Sequence, residues 1–255
     1  MTTQILDRRE DGVLTLTLNH LERKNAITIA MYTALAEALE QANGDPAVRV
    51  AVIEGHEAVF CSGNDLADFL NNPSGDLDAP GFRFLRAIAT FTKPLIAAVC
   101  GPAVGIGTTL LFHCDLVYAG DNAMFSMPFV DLGLCAEGCS TLLVPRLFGH
   151  QRAAEALLLG EPFSAQDAFA RGLVNRIVPP SECKALAQKQ ARRLAAKPLA
   201  SLLTNKRLMK GDEQQAVLAR IDTEGAEFIR LLVGPAAREA MAAFLEKRAP
   251  DFSRL

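Results

Sequence analysis

The chain has 255 residues, half of them apolar and 22% charged, with a net charge of −3. This length suits one large domain or two small ones, and the apolar fraction excludes intrinsic disorder. The acidic balance, with two Tyr and no Trp, lacks the basic footprint of a nucleic-acid binder.

Val13–Leu18 alternates apolar residues with Thr and predicts a strand. Asn19–Asn25 is a polar loop. Thr28 can cap a helix carrying Met31, Leu35 and Leu39. Gly44-Asp45-Pro46 is a turn. Val48–Ile53 is a near-continuous apolar run, suited to a strand buried on both faces. His56–Asp65 is a loop leading to a helix start, and Asn71–Gly81 a second loop. Phe82–Phe91 predicts a helix and Leu95–Val99 a third buried strand. A Gly-rich turn over Gly101–Gly107 leads into a helix over Thr108–His113. Strands follow at Asp115–Ala119 and Ala123–Met127.

Beyond Gly138 helical patterns dominate: Leu142–Phe148, Gln151–Leu159, Ala165–Arg171, Glu182–Ala196, Leu199–Met209, Glu213–Leu232 and Pro235–Lys247. A short strand at Leu173–Val178 interrupts them. The pattern predicts an α/β core followed by a helical tail. The tail could close the core or form a subunit interface.

Four His and scattered Cys argue against a metal centre. None of the six Cys forms a C-x-x-C, and Cys135 and Cys139 have no partnering His. Free thiols in a reducing compartment are expected. The N-terminus has no apolar signal region. Pro94–Phe112 is uncharged up to its end, but its Pro and Gly residues favour strand, turn and buried helix over a membrane span. Ser253-Arg254-Leu255 resembles a C-terminal peroxisomal address.

Three segments could carry chemistry. Phe60–Leu66 follows a buried strand, and its Gly63 could let a ligand approach backbone N–H groups. An ordinary turn with Asp65 as a helix cap is the plainer alternative. Gly101–Gly107 fits neither G-x-G-x-x-G nor a P-loop. It could aim N–H groups at an oxyanion, or simply pack a strand tightly against a helix. Glu137 is a lone acid among small and apolar residues. Buried, it would be a base usable near neutral pH; in a solvated loop it would be unremarkable. Asp115 and Asp131 are weaker candidates. His113 follows an apolar helix and fits a satisfied core residue. The basic run Lys189–Lys197 fits a solvated helix face.

Six segments in order resemble the crotonase superfamily of enoyl-CoA hydratases and isomerases. They are NHLERKNA (Asn19–Ala26), FCSGNDL (Phe60–Leu66), KPLIAAVCGPAVGIG (Lys93–Gly107), CDLVYA (Cys114–Ala119), AQDAFARGLV (Ala165–Val174) and FLEKRAPDF (Phe244–Phe252). The resemblance implies a spiral of ββα units over 1–197 and a C-terminal helical region over 198–255 that builds a homotrimer or a dimer of trimers. It implies an acyl-CoA substrate, with no cofactor beyond the CoA that the substrate carries, no metal, no nucleic acid and no membrane partner. The amides of Asn64 and Ile106 would hold the thioester oxygen. Lys24, Ala26, Ser62, Gly63, Asp65, Leu66, Gly105, Phe129 and Leu134 would line the substrate site, with Arg23 and Lys24 near the CoA nucleotide.

The two glutamates of hydratases correspond here to Thr109 and Phe129, neither of which moves a proton at neutral pH. The stretch PFVDLGLCAEGCS (Pro128–Ser140) is instead similar to the peroxisomal-type Δ3,Δ2-enoyl-CoA isomerases, which carry one catalytic Glu at the position of Glu137. Phe125, Phe129 and Leu134 are expected to keep its surroundings dry. Another reaction on a CoA-thioester enolate, hydration included, and non-catalytic acyl-CoA binding are the alternatives. The compartment expected is the cytosol in a bacterium, or the peroxisome in a eukaryote.

Overall fold

A computed structural model describes residues 3–65, 67–68, 76–246, 248–253 and 255. Its nine strands and ten helices among these residues form one α/β body. A six-stranded sheet runs in the order β1 (Ile5–Glu10), β2 (Val13–Leu18), β3 (Val50–Glu54), β4 (Leu95–Val99), β6 (Leu116–Gly120), β9 (Arg176–Val178). Only the β1–β2 pair is antiparallel. A small second sheet holds β5 (Pro102–Val104), β7 (Met124–Ser126) and β8 (Phe163–Ser164). The chain passes from β4 to β5 and from β6 to β7, so successive strands alternate between the two sheets.

Side-chain alternation sorts the large sheet into two faces. Leu14, Leu16, Leu18, Ala51, Ile53, Ala97 and Val99 face the main core. There they meet α1 (Ile29–Gly44) and α2 (Pro80–Thr90). Val13, Val50, Val52, Ile96, Ala98 and Tyr118 face a second cluster, closed by Cys183, Ala187, Ala191 and Ala195 of α7 (Pro180–Ala195). This two-sided burial is why β3 and β4 read as continuous apolar runs.

The other helices are α3 (Ile106–Thr109), α4 (Ser140–Phe148), α5 (His150–Leu158), α6 (Ala165–Ala170), α8 (Leu199–Lys210), α9 (Glu213–Leu232) and α10 (Pro235–Glu246). Ile221 and Phe228 of α9, with Ala237 and Met241 of α10, belong to the main core. Lys206 of α8 donates to the Lys93 carbonyl and to Asp115 Oδ2, both at 2.6 Å. Asp115 also accepts from Leu95 N, tying β4 to β6. Among the described residues no helix is long and apolar enough to cross a membrane.

Several local expectations change. β1 precedes the first expected strand. Its sequence is largely charged because five of its six residues are exposed on the sheet edge. Asp11 and Gly12, both at positive φ, close the hairpin. The Gly-rich turn contains β5, and the helix after it starts at Ile106 and tightens into a 3-10 turn over Leu110–His113. The strand expected over Leu173–Val178 is confined to β9, because Leu173 and Val174 bond back to Ala168 at the end of α6. Leu66, residues 71–75 of the expected loop and Arg254 of the terminal tripeptide lie outside the described residues.

Candidate functional site

Two loops lie side by side through a parallel bridge between Cys61 and Ala103. Val104 N donates to the Cys61 carbonyl at 2.9 Å, and Gly105 N to Ser126 O at 2.9 Å. At Gly107 an added Cβ would stand 2.8 Å from Cys61 Cβ and 2.9 Å from its carbonyl oxygen, so only glycine permits this approach. Asn64 and Ile106 each lie three residues beyond the bridge. Neither of their backbone N–H groups has a carbonyl partner among the described residues. The Ile106 N–H is the first of α3, where helix geometry leaves amides unsatisfied.

The Asn64 loop is braced from two sides. Ile27 N donates to the Gly63 carbonyl at 2.8 Å, and Asp65 N to the Ile27 carbonyl at 3.0 Å. The Tyr32 hydroxyl, from α1, donates to Asn64 Oδ1 at 2.5 Å. Ser62 N donates to the Lys24 carbonyl, which brings the Arg23–Ala26 loop alongside. That loop is held by Asn25, which accepts from His20 N and donates to the Phe60 carbonyl. Asp65 Oδ1 accepts from Ala67 N and Asp68 N, so its side chain caps the following turn.

Glu137 reaches the site from the segment before α4 and is buried. Thr109, one helical turn beyond Ile106 on α3, donates to Glu137 Oε1 at 2.6 Å. Thr109 occupies a position where the resemblance places a glutamate in hydratases. Burial pushes the Glu137 carboxyl up to about 8, against the lowering effect of the Thr109 bond, with the Glu224 carboxylate adding to the rise. The Glu137 backbone is fixed by Ser140 Oγ, which donates to its carbonyl at 2.6 Å. The next carbonyl, at Gly138, accepts from His113 Nε2 at 2.8 Å. Burial holds His113 down at about 4, so it sits here as a neutral donor.

Two cavities meet at Asn64, Asp65 and Phe228. One, with an empty volume of about 720 Å³, holds Glu137 among Ile27, Tyr32, Phe82, Leu85, Phe228 and Leu232. The other, of about 1550 Å³, is lined by Lys24, Ala26, Ser62, Gly63, Asn64, Asp65, Gly105, Ile106, Phe129 and Leu134, with Arg23 at its side. The structure thus brings together every expected site residue that is described. It differs over the walls around Glu137. Phe129 and Leu134 line the second cavity, and Phe125 is buried in the core, stacked on Phe163. The apolar surround of Glu137 comes instead from α1, α2 and α9. Tyr32, Phe82, Phe228 and Glu224 are additions that the sequence reading lacks. Each sits on a helix face patterned like ordinary core. Among the described residues no cluster of His, Cys, Asp or Glu could hold a metal ion.

Such a site can hold an anion developing between two backbone N–H groups while a buried carboxylate moves a proton at the adjacent carbon. Residues 8–254 match the family model described as Enoyl-CoA hydratase/isomerase. The chain is 38% identical to 1,2-epoxyphenylacetyl-CoA isomerase of Escherichia coli K12 over 258 residues, 98% of each protein. It is 37% identical to enoyl-CoA delta isomerase 2 of Rattus norvegicus over 84% of this chain, and the match spans 56% of that longer relative. The structure of Pseudomonas aeruginosa OdaA superposes with a TM-score of 0.93 at 47% identity, covering 96% of this chain and 99% of that one.

Proposed function

Because the chain belongs to the enoyl-CoA hydratase/isomerase family, the crotonases, we propose that it moves the double bond of a 3-enoyl-CoA to the 2-trans position, using Glu137 as the sole proton carrier. The observation that carries this reading is the buried Glu137 carboxylate held by Thr109, at a site where Thr109 and Phe129 leave hydration without its two glutamates. Glu137 takes a proton from C2. The C2–H electron pair passes into a dienolate whose oxygen is held by the amides of Asn64 and Ile106. Glu137 then gives its proton to C4, the C3=C4 double bond becomes C2=C3, and the carboxylate is regenerated. The hydrogen leaves and returns as a proton, so this route uses no redox group or metal. CoA arrives with the substrate, its nucleotide beside Arg23 and Lys24.

The apolar walls of Tyr32, Phe82, Leu85 and Phe228 exclude water, which would compete for the dienolate, and keep the carboxylate basic. A second reading is isomerisation of a CoA ester with a ring in its acyl group. The E. coli relative, whose name specifies such a substrate, matches over nearly its whole length, and three of the wall residues here are aromatic. We also propose a homotrimer or dimer of trimers, to be read from the mass of the assembly in solution.

The deciding experiment offers purified protein 3-trans-hexenoyl-CoA, 2-trans-hexenoyl-CoA and 1,2-epoxyphenylacetyl-CoA in separate reactions. Conversion of the first to 2-trans-hexenoyl-CoA, with little 3-hydroxyhexanoyl-CoA from the second, supports the isomerase. Loss of roughly 10²–10⁴-fold in kcat in Glu137→Gln, with acyl-CoA affinity retained, places the proton transfer on that residue. Efficient hydration of the second substrate overturns the reading. Turnover of the epoxide alone selects the ring-bearing substrate.

A further inference from the structure

Glu224 lies on α9, 87 positions beyond Glu137 in the chain, and is buried against the Glu137 segment. Its Oε2 accepts from Cys139 N at 2.6 Å. Its Oε1 accepts from Thr141 N at 2.9 Å and from Thr141 Oγ1 at 2.6 Å. Thr141 Oγ1 in turn accepts from Arg220 Nη1 at 2.9 Å, one turn earlier on α9. Glu224 therefore accepts three hydrogen bonds from one short segment, the arrangement of an ionised carboxylate.

The segment needs such a clamp. Cys139 holds a left-handed conformation at φ 61, unusual for a residue with a side chain. It follows Gly138 at φ 71, where an added Cβ would stand 3.1 Å from Thr109 Cβ and Oγ1. Two successive left-handed residues turn the backbone sharply between Glu137 and α4, and the carboxylate of Glu224 satisfies amides on the far side of that turn. A glutamine could not replace it. With one oxygen facing Cys139 N–H and the other facing Thr141 N–H, either amide orientation would set a donor against a donor.

We propose that Glu224 is a positioning residue for the isomerisation: its carboxylate holds the Gly138–Thr141 backbone so that Glu137 faces the bound acyl group. This rests on the role given to Glu137 above. Among the described residues the groups that bear on Glu137 are Tyr32 from α1, Cys61 from the loop before Asn64, Thr109 from α3, Cys135 from its own segment and Glu224 from α9, and Asp65 and Asp68 line the same cavity. Arg220 bears on Glu224 from its own helix.

The test is Glu224→Gln in the full chain, read in two ways. Steady-state isomerisation of 3-trans-hexenoyl-CoA should show kcat down roughly 10- to 100-fold with KM within about twofold. The infrared band of the protonated Glu137 carboxyl, identified by its absence in Glu137→Gln, should titrate at lower pH once the neighbouring negative charge is gone. A wild-type kcat, parallel losses in kcat and acyl-CoA affinity, or an unmoved titration midpoint overturns the assignment. If the wild-type protein fails to isomerise the substrate, the functional reading falls, while the infrared midpoint needs no turnover and still decides the link between the two carboxylates. Should Glu224→Gln fail to fold, Thr141→Val removes one of the three bonds. It should lower kcat roughly three- to tenfold at constant KM, and wild-type kinetics in that variant overturn the proposal.

Discussion

Thr109 Oγ1 and Glu137 Oε1 lie 2.6 Å apart, which ties the buried carboxylate to the same single turn of helix that presents the Ile106 amide. The proposed base and one proposed oxyanion donor are therefore held by the same element. The hydroxyl donates to the ionised form of Glu137 and so favours it.

Glu137 must be ionised to take a proton from C2. With its carboxyl held at about 8, kcat/KM should rise with pH through that region and level off above it. Thr109→Val removes a hydrogen bond that lowers this value, so the rising limb should move to higher pH. Activity near neutrality should fall about tenfold and recover in alkaline buffer. A limb that stays in place, or a uniform loss at every pH, counts against this role for Thr109.

Stability carries the same signature with a definite sign. In the folded chain Glu137 is raised from 4.5 to about 8, so the native state holds an extra proton between those values. That contribution is fully present below 4.5 and is lost as pH rises toward 8. His113 is lowered from 6.5 to about 4, so its contribution is lost as pH falls through that interval. The two slopes oppose each other between about 4.5 and 6.5, and above that Glu137 acts alone. Urea midpoints should therefore show Glu137→Gln gaining on wild type from pH 5 to about pH 8 and levelling off above it. Parallel curves would contradict the burial cost assigned to Glu137.

The paired loops can be forced apart without touching the proton carrier. Gly107→Ala places a methyl group 2.8 Å from Cys61 Cβ. Relief requires the two strands of backbone to separate, at a cost of about 1–3 kcal/mol in stability. If the Asn64 and Ile106 amides share one oxygen, kcat/KM should drop roughly 10²–10³-fold, the cost of one lost donor. Calorimetry and initial rates at a temperature where the variant is folded would check both. Full activity would mean that the amides do not act as a pair.

Tyr32→Phe deletes the hydroxyl that holds Asn64 Oδ1 and leaves the ring in the apolar wall. One lost hydrogen bond of about 1 kcal/mol corresponds to roughly a fivefold loss in kcat/KM. The melting temperature should change little. An unchanged rate would show that the backbone braces from Ile27 suffice to hold the Asn64 amide.

Much of this site was readable from local sequence, and the unread part has a common cause. Apolar runs marked β3 and β4 because both faces are covered. FCSGNDL and GPAVGIG marked the two loops because close backbone approach demands small residues there. Glu137 stood out as an acid in apolar company. β1 did not, since an exposed edge strand shows its charges and little hydrophobic pattern. Tyr32, Phe82 and Phe228 belong to amphipathic helices in which a cavity-lining residue and a core residue have the same spacing. Glu224 looks like any helical glutamate until α9 folds back onto the Glu137 segment. Contacts between distant parts of the chain leave no periodic trace.

The Cys61–Ala103 rung has a consequence for how such a chain can change over generations. Both amides are placed by counting three residues along the backbone from one rung, so neither position 64 nor position 106 has to present a particular side chain to the anion. Loop length, by contrast, is constrained. One inserted or deleted residue on either side of the rung would put its amide out of step with the other, whatever the residue's identity. The scaffold can thus exchange acids and bases around the paired amides, and vary its side chains by substitution while being intolerant of insertion there.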